Sequence, residues 1–165
     1  MSKAVFYTSE TGFTKQYAQW IAAALQCPCL SAKAVSAQSV ASYDTVIYGG
    51  WIMGSGITGL DKMRPMVKGK LVVFGVGSSP KSEAVEKAIQ QQNHLDGLPF
   101  FYMEGGFHFE QLGFMKKTML KMVKKSVEKK ENKTEQDLFM VKVLGTSFDH
   151  SDIHNIDPLV EACRE

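Results

Sequence analysis

The sequence predicts an α/β fold, a doubly wound five-stranded parallel sheet with helices on both faces. Three observations carry that expectation. Short apolar runs of strand chemistry recur along the chain, with helical patterns between them. Each run is continuously apolar rather than alternating, as in strands buried on both faces. The first run passes through a hydroxyl-rich, glycine-containing stretch straight into a helical pattern. Doubly wound sheets build their ligand sites in such places, at the carboxyl ends of the strands.

The elements follow in order. Residues 3–7 form the first strand and 15–25 the first helix. Residues 29–34 read as a short edge strand, and 45–49 as a buried one. Residues 60–67 suit a short helix that Pro65 limits or kinks. Residues 70–75 are the clearest strand, and 82–92 an amphipathic helix with Ser82 at its N-cap. Residues 99–103 form the fifth strand. Asp157 as N-cap and Pro158 at the first helical position open a last helix that runs through Cys163.

A chain of 165 residues is expected to make one domain with a substantial core. No apolar stretch approaches the roughly 18 residues that span a bilayer. The first residues lack the charged, apolar and small-residue succession of a secretion signal, so a cytoplasmic protein is expected. Cys27, Cys29 and Cys163 show neither metal spacing nor a C-x-x-C pair and read as reduced thiols. No metal site and no internal repeat is expected.

The net charge of +2 is unevenly placed. Between Gln111 and Lys133 eight lysines face only Glu128 and Glu131, so this segment carries +6 and the remainder −4. Within it Phe114, Met115, Met119, Met122, Val123 and Val127 recur at three- and four-residue steps, the pattern of a basic amphipathic helix. It forms a helical insert after the fifth strand, at about residues 107–136, and the stretch 128–133 reads as solvated. The helix suits an apolar inner face, a protein partner or peripheral membrane contact. Lysines without aromatic interleaving give no nucleic-acid signature, and no such partner is expected.

The candidate site begins at Ser9-Glu10-Thr11-Gly12-Phe13-Thr14. A strand that ends in this loop and opens a helix aims unpaired N–H groups and the positive end of the helix dipole at one spot, which suits an anion. The hydroxyls of Ser9, Thr11 and Thr14 add donors, and the loop holds no Lys or Arg. A nucleotide triphosphatase would need G-x-x-x-x-G-K-[ST], which the chain lacks. After the third strand comes Gly49-Gly50-Trp51-Ile52-Met53-Gly54-Ser55-Gly56, where glycines allow close backbone approach to a flat ring and Trp51 offers a stacking face. After the fourth comes Gly75-Val76-Gly77-Ser78-Ser79-Pro80, small and rich in N–H groups. Gly54 to Gly59 also fits G-x-G-x-x-G, but it follows a middle strand and lacks the acidic ribose partner of a dinucleotide site.

The S-x-T-G-x-T pattern of Ser9 to Thr14 resembles the flavodoxins, and the resemblance covers nearly the whole chain. It implies that this loop binds the phosphate of FMN. It further implies that Gly50 to Gly56 lie against the isoalloxazine, with Met53-Gly54 or Gly54-Ser55 as a peptide that reorients toward N5 of the reduced flavin. Gly75, Val76, Gly77 and Ser78 would then meet the flavin's polar edge and ribityl chain. That last loop has no acid before Glu83, so a less negative potential for full reduction is expected than in an acidic flavodoxin.

Within the family the sequence looks closest to the branch of the menaquinone-dependent protoporphyrinogen oxidases. The loop Tyr48 to Gly54, the turn Glu104-Gly105-Gly106 and the basic, Met-rich helix carry that likeness. In that branch the insert is basic and associated with substrate or membrane. Phe107-His108-Phe109-Glu110-Gln111 replaces its arginine- and tyrosine-rich stretch, and His108 reads as a loop residue. The expected function is FMN-based electron transfer with redox partner proteins or a small-molecule donor or acceptor. The alternative is an FMN-dependent oxidoreductase of the protoporphyrinogen oxidase type using a quinone or other acceptor. No residue is singled out as catalytic.

Overall fold

The computed structural model describes residues 1–107, 114–143 and 147–164. The chain forms two compact units, Met1–Gly105 with Ser151–Glu165, and Gly106–His150.

The first unit holds a parallel sheet of β1 (Lys3–Thr8), β2 (Cys29–Ser31), β3 (Thr45–Met53), β5 (Lys70–Gly77) and β6 (Phe100–Glu104). A two-residue strand, β4 (Gly56–Ile57), pairs antiparallel with β3. The sheet order is β2-β1-β3-β5-β6, which bears out the doubly wound fold. Its helices are α1 (Phe13–Leu25), α2 (Ala37–Ala41), α3 (Leu60–Met63), α4 (Glu83–Gln92) and α7 (Asp157–Cys163).

Side chains on a strand alternate between faces, so continuously apolar strands fill two cores. Val5, Ile47, Val72, Phe74 and Met103 meet α1 and α7 on one face. Ala4, Phe6, Val46, Tyr48, Val73 and Tyr102 meet α2, α3 and α4 on the other, through Val40, Leu60, Met63 and Ile89. Tyr17, Ala18, Ile21 and Ala22 bring α1 onto the sheet at three- and four-residue steps. The three cysteines are free; burial pushes all three thiols up, leaving them poor nucleophiles at neutral pH.

Several boundaries differ from expectation, four of them for the local reasons that follow. β3 runs on to Met53, because it folds back on β4 as a hairpin. β2 stops at Ser31, whose side chain accepts from Lys33 N–H and starts a 3-10 turn. Arg64–Met66 continue from α3 as a 3-10 turn that contains Pro65. Asp157 is the first helical residue rather than a cap, because the 3-10 turn Ile153–Ile156 runs directly into α7. Asp152 caps that turn, accepting from His154 N–H at 2.9 Å. Ser82 caps α4 as expected, accepting from Val85 N–H at 3.2 Å.

The second unit holds α5 (Phe114–Glu128), α6 (Glu135–Val143) and a ribbon of β7 (Gly106–Phe107) with β8 (Phe148–Asp149). It therefore extends beyond the insert outlined in the sequence and contains a helix, α6, that the periodicity did not reveal. Phe148 stacks on Phe107 and meets Phe139 edge-on. The basic helix is present, but its apolar stripe is not an inner face. Phe114, Met115, Met119 and Met122 are 84%, 80%, 61% and 65% exposed, while Val127 is buried. The side shared by Lys117, Leu120, Lys124 and Val127 is the shielded one. His108 and the residues 109–111 lie outside the described residues.

Candidate functional site

The strand register brings the candidate loops together. Thr8 pairs with Gly50, Gly50 with Gly75, and Gly75 with Tyr102, in one line across the sheet. Beyond this line β3 has no β1 neighbour, so Trp51, Ile52 and Met53 project past the edge beside the loop that leaves β1. That loop leads to α1 on one face of the sheet, and the chain after β3 leads to α3 on the other. The two connections part here, at the topological switch point where open α/β sheets hold ligands.

In the first loop the Gly12 N–H donates to Ser9 Oγ at 3.1 Å. Gly12 sits at the N-cap of α1 with φ +101°, and no side chain caps the helix. A Cβ at Gly12 would meet nothing within 4 Å, so the position needs glycine for its backbone angle rather than for space. The first turn of α1 carries no acid, and its start is a neutral donor site. Ser9 and Thr11 are half-buried and Glu10 exposed. Phe13 packs into the first core, and Thr14 is only 2% exposed at the foot of the loop.

The stretch expected as an open loop after the third strand is a β-hairpin. Gly54 and Ser55 have φ +53° and +67°, a two-residue turn of the type I′ class that suits the twist of paired strands. Thr58 N–H donates to Trp51 O at 3.0 Å and Ile52 faces Ile57 across the ladder. Ile52 packs against the second core, whereas Trp51 is half-buried and belongs to neither core. Met53 is 63% exposed. A Cβ at Gly54 would meet open space. Gly50 instead lies against Thr58 O, Gly75 against Ile52 Cδ1 and Gly77 against the Tyr102 hydroxyl, at 2.4, 2.7 and 2.6 Å from where a Cβ would stand. These three glycines make room for the chain's own atoms. Gly56 follows the turn as the first residue of β4. The span from Gly54 to Gly59 is a closed hairpin followed by a four-residue helix, not the strand-to-helix turn of a dinucleotide site.

Tyr48 ties these parts together. Its buried hydroxyl donates to Thr58 O at 2.5 Å and shares a 2.8 Å hydrogen bond with Thr8 Oγ1. Burial pushes this phenol up, against the lowering effect of Thr8.

After β5 the picture changes from expectation. The strand includes Gly75, Val76 and Gly77; Val76 is buried in the first core, and Ser78 is the first exposed residue beyond it. Tyr102 donates its hydroxyl to Ser79 O at 2.6 Å, and Gly105 N–H donates to Gly77 O at 2.8 Å. Glu104 Oε1 accepts from Lys81 N–H at 3.0 Å. The loop therefore does have a carboxylate beside it, because the pairing of Gly77 with Glu104 brings the end of β6 alongside. The expectation of an acid-free loop is corrected on this point. Burial and Glu104 together hold the Tyr102 phenol well above its ordinary range.

The sequence also gave no sign of Asn93, which closes α4 and whose side chain reaches the hairpin at Ser55 and Ile57. Chemically, the arrangement offers neutral donors at a helix start and an indole on an open rim. Among the described residues no group of three His, Cys, Asp or Glu could hold a metal, and no helix is long and apolar enough to cross a membrane.

A family model described as a flavodoxin domain matches residues 4–135. Among solved structures, a flavodoxin from the domain Archaea is 15% identical, with 63% of this chain and 83% of that chain covered at a TM-score of 0.47. Oxidised flavodoxin 1 from Bacillus cereus is 17% identical, with 63% and 84% covered at a TM-score of 0.44. Two-electron reduced flavodoxin from Megasphaera elsdenii is 22% identical, with 61% and 82% covered at a TM-score of 0.43. No curated protein matches the sequence.

Proposed function

The chain belongs to the flavodoxin domain family, and from that premise we propose that it binds FMN and acts in electron transfer. The observation that carries this reading is the uncapped start of α1, opened by Gly12 and flanked by Ser9 and Thr11, at the switch point of the sheet. The donor set fits a phosphate, since it is neutral, made of hydroxyls and amides, and placed at a helix start. The half-buried Trp51, outside both cores, fits the face of a flat ring.

The loop from Ser9 to Thr14 would hold the phosphate, the residues from Gly50 to Gly56 the ring, and Gly75 to Ser78 the polar edge. Bound FMN would supply the electron-carrying chemistry, while the protein binds, orients and shields it and sets its potential. Glu104 would lower that potential, as a carboxylate disfavours added negative charge. Redox partner proteins or a small-molecule donor or acceptor complete the proposal.

The test is a titration of apo-protein into FMN, followed by flavin fluorescence, with riboflavin as control. Tight quenching by FMN and a much weaker response with riboflavin supports a phosphate-anchored site. No response with either defeats the reading. Thr11→Val and Thr14→Val keep shape and remove a donor, and each lost bond to a charged group should cost roughly 1.5–3 kcal/mol of FMN affinity. Unchanged affinity in both would remove the phosphate loop from the argument.

One observation favours the second reading, an FMN-dependent oxidoreductase of the protoporphyrinogen oxidase type with a quinone or other acceptor. The exposed Phe114, Met115, Met119 and Met122 on lysine-rich α5 suit peripheral contact with an anionic membrane, where such an acceptor resides. Co-sedimentation with phosphatidylserine vesicles, against phosphatidylcholine alone, tests the membrane contact; no binding to the anionic vesicles removes this support from the second reading.

A further inference from the structure

The β3–β4 hairpin is held from behind by a residue that belongs to none of the loops above. Asn93 is the C-cap residue of α4. Its Oδ1 accepts from Ile57 N–H at 2.9 Å, and its Nδ2 donates to Ser55 O at 2.8 Å and to Ile89 O at 2.7 Å. One N–H is met by the oxygen and two carbonyls by the two amide hydrogens. Turning the amide over would set donor against donor and acceptor against acceptor, so its orientation is dictated by its neighbours.

The partners cannot easily be met otherwise. Ile57 faces Ile52 at a position next to the ladder bond from Thr58 N–H to Trp51 O. In an antiparallel pair the N–H of such a residue points away from the partner strand. Ile57 is 5% exposed, so without Asn93 its N–H would lie buried without an acceptor. Ser55 sits at φ +67°, where residues with side chains are seldom found and surrounding structure must hold them. Asn93 is fixed in turn by Arg64, whose guanidinium donates to Asn93 O at 2.7 Å and to His94 O at 3.3 Å. A strut thus runs from the end of α3 through the end of α4 to the turn of the hairpin whose first strand carries Trp51 and Met53.

We propose that Asn93 is a positioning residue of the flavin site: it holds the Gly54–Ser55 turn in register and thereby sets FMN affinity and potential. This rests on the FMN reading above. Asn93 touches no cofactor itself; it acts through the hairpin backbone.

The test compares wild type with Asn93→Leu, which keeps size and removes all three bonds. Three quantities are read: the FMN dissociation constant, the two midpoint potentials of bound FMN, and amide exchange at Ile57. Asn93→Leu should bind FMN about tenfold more weakly, the loss expected for about one buried hydrogen bond. If the loss differs tenfold between oxidised and reduced FMN, a one-electron midpoint moves by about 59 mV. Exchange at Ile57 should quicken. A folded Asn93→Leu protein with wild-type affinity and potentials overturns the proposal. If that variant does not fold, Asn93→Ser, which leaves room for a bridging water, is judged by the same readings. It should show smaller shifts in the same direction, and none would overturn the proposal. Wild-type protein that fails to bind FMN is a different failure: it defeats the FMN reading first, and this role with it.

Discussion

Helices α1 and α5 carry similar apolar stripes and meet opposite fates. In α1, Tyr17, Ala18, Ile21 and Ala22 are shut against the sheet. In α5, Met115, Met119 and Met122 face solvent, and the shielded side holds Lys117 and Lys124 beside Leu120 and Val127. Three- and four-residue spacing reports that a helix has an apolar side. It does not report what covers that side, because coverage depends on partners distant in the chain.

The largest effect that could break this contrast comes from core truncation. Ile21→Ala should cost about 2–5 kcal/mol of stability, as a buried aliphatic side chain leaves a cavity. Met119→Ala should stay within about 0.5 kcal/mol, since the side chain stands in water. Urea titrations measure both, and similar losses in the two would show α5 to be packed as α1 is. Next in size is Tyr17→Phe. The Tyr17 hydroxyl donates to Glu104 O and accepts from Asp152 N–H at 3.1 Å and Asn155 Nδ2 at 2.9 Å. Its loss leaves part-buried groups without their partner and should cost about 1–3 kcal/mol. A neutral result would mean that water replaces it.

A smaller effect sharpens the contrast at the site. Glu104→Gln should raise the midpoint potential for full reduction of bound FMN, by on the order of 1 kcal/mol of charge interaction. Lys70→Gln, exposed at the opposite end of β5, should leave it where it is. Equal shifts in redox titrations of the two variants would discredit the placement of Glu104 at the flavin edge. The smallest is a pH effect confined to the sheet. Burial raises Tyr48 and Tyr102 above the ordinary tyrosine value, so the folded state favours the neutral phenols. Stability should hold below about pH 10 and fall as pH rises through the raised values. Urea midpoints between neutral and alkaline pH test this, and Tyr102→Phe should flatten the decline. An equally steep decline in that variant would assign it to other groups.

Much of the fold was legible because its signals are local. Buried strands announce themselves as apolar runs, Ser82 as a cap, and the loop from Ser9 to Gly12 by its position between a strand and a helix. The hairpin at Gly54–Ser55 was not legible. Ser55 is not a residue that advertises a positive φ, and its conformation is held by Asn93, thirty-eight residues away in the chain. The place of Glu104 beside the loop after β5 was not legible for the same kind of reason, since only the pairing of β5 with β6 sets it beside Lys81. The neighbours of the glycines were not legible either: a Cβ at Gly50, Gly75 or Gly77 would meet the chain's own atoms, which come from distant positions or from across a turn.

The sequence by itself determined the five parallel strands with α1, α3, α4 and α7, the two-sided burial of the sheet and the hydroxyl-rich start of α1. Each is set by side-chain chemistry within a few residues, which any fold of this chain must respect. Only the tertiary structure decided that the stretch after Gly50 turns back as a hairpin, that Asn93 holds it, that Glu104 faces the loop after β5 and that the methionines of α5 look outward. Those outcomes rest on register and packing between segments far apart in the chain, and no local pattern records them.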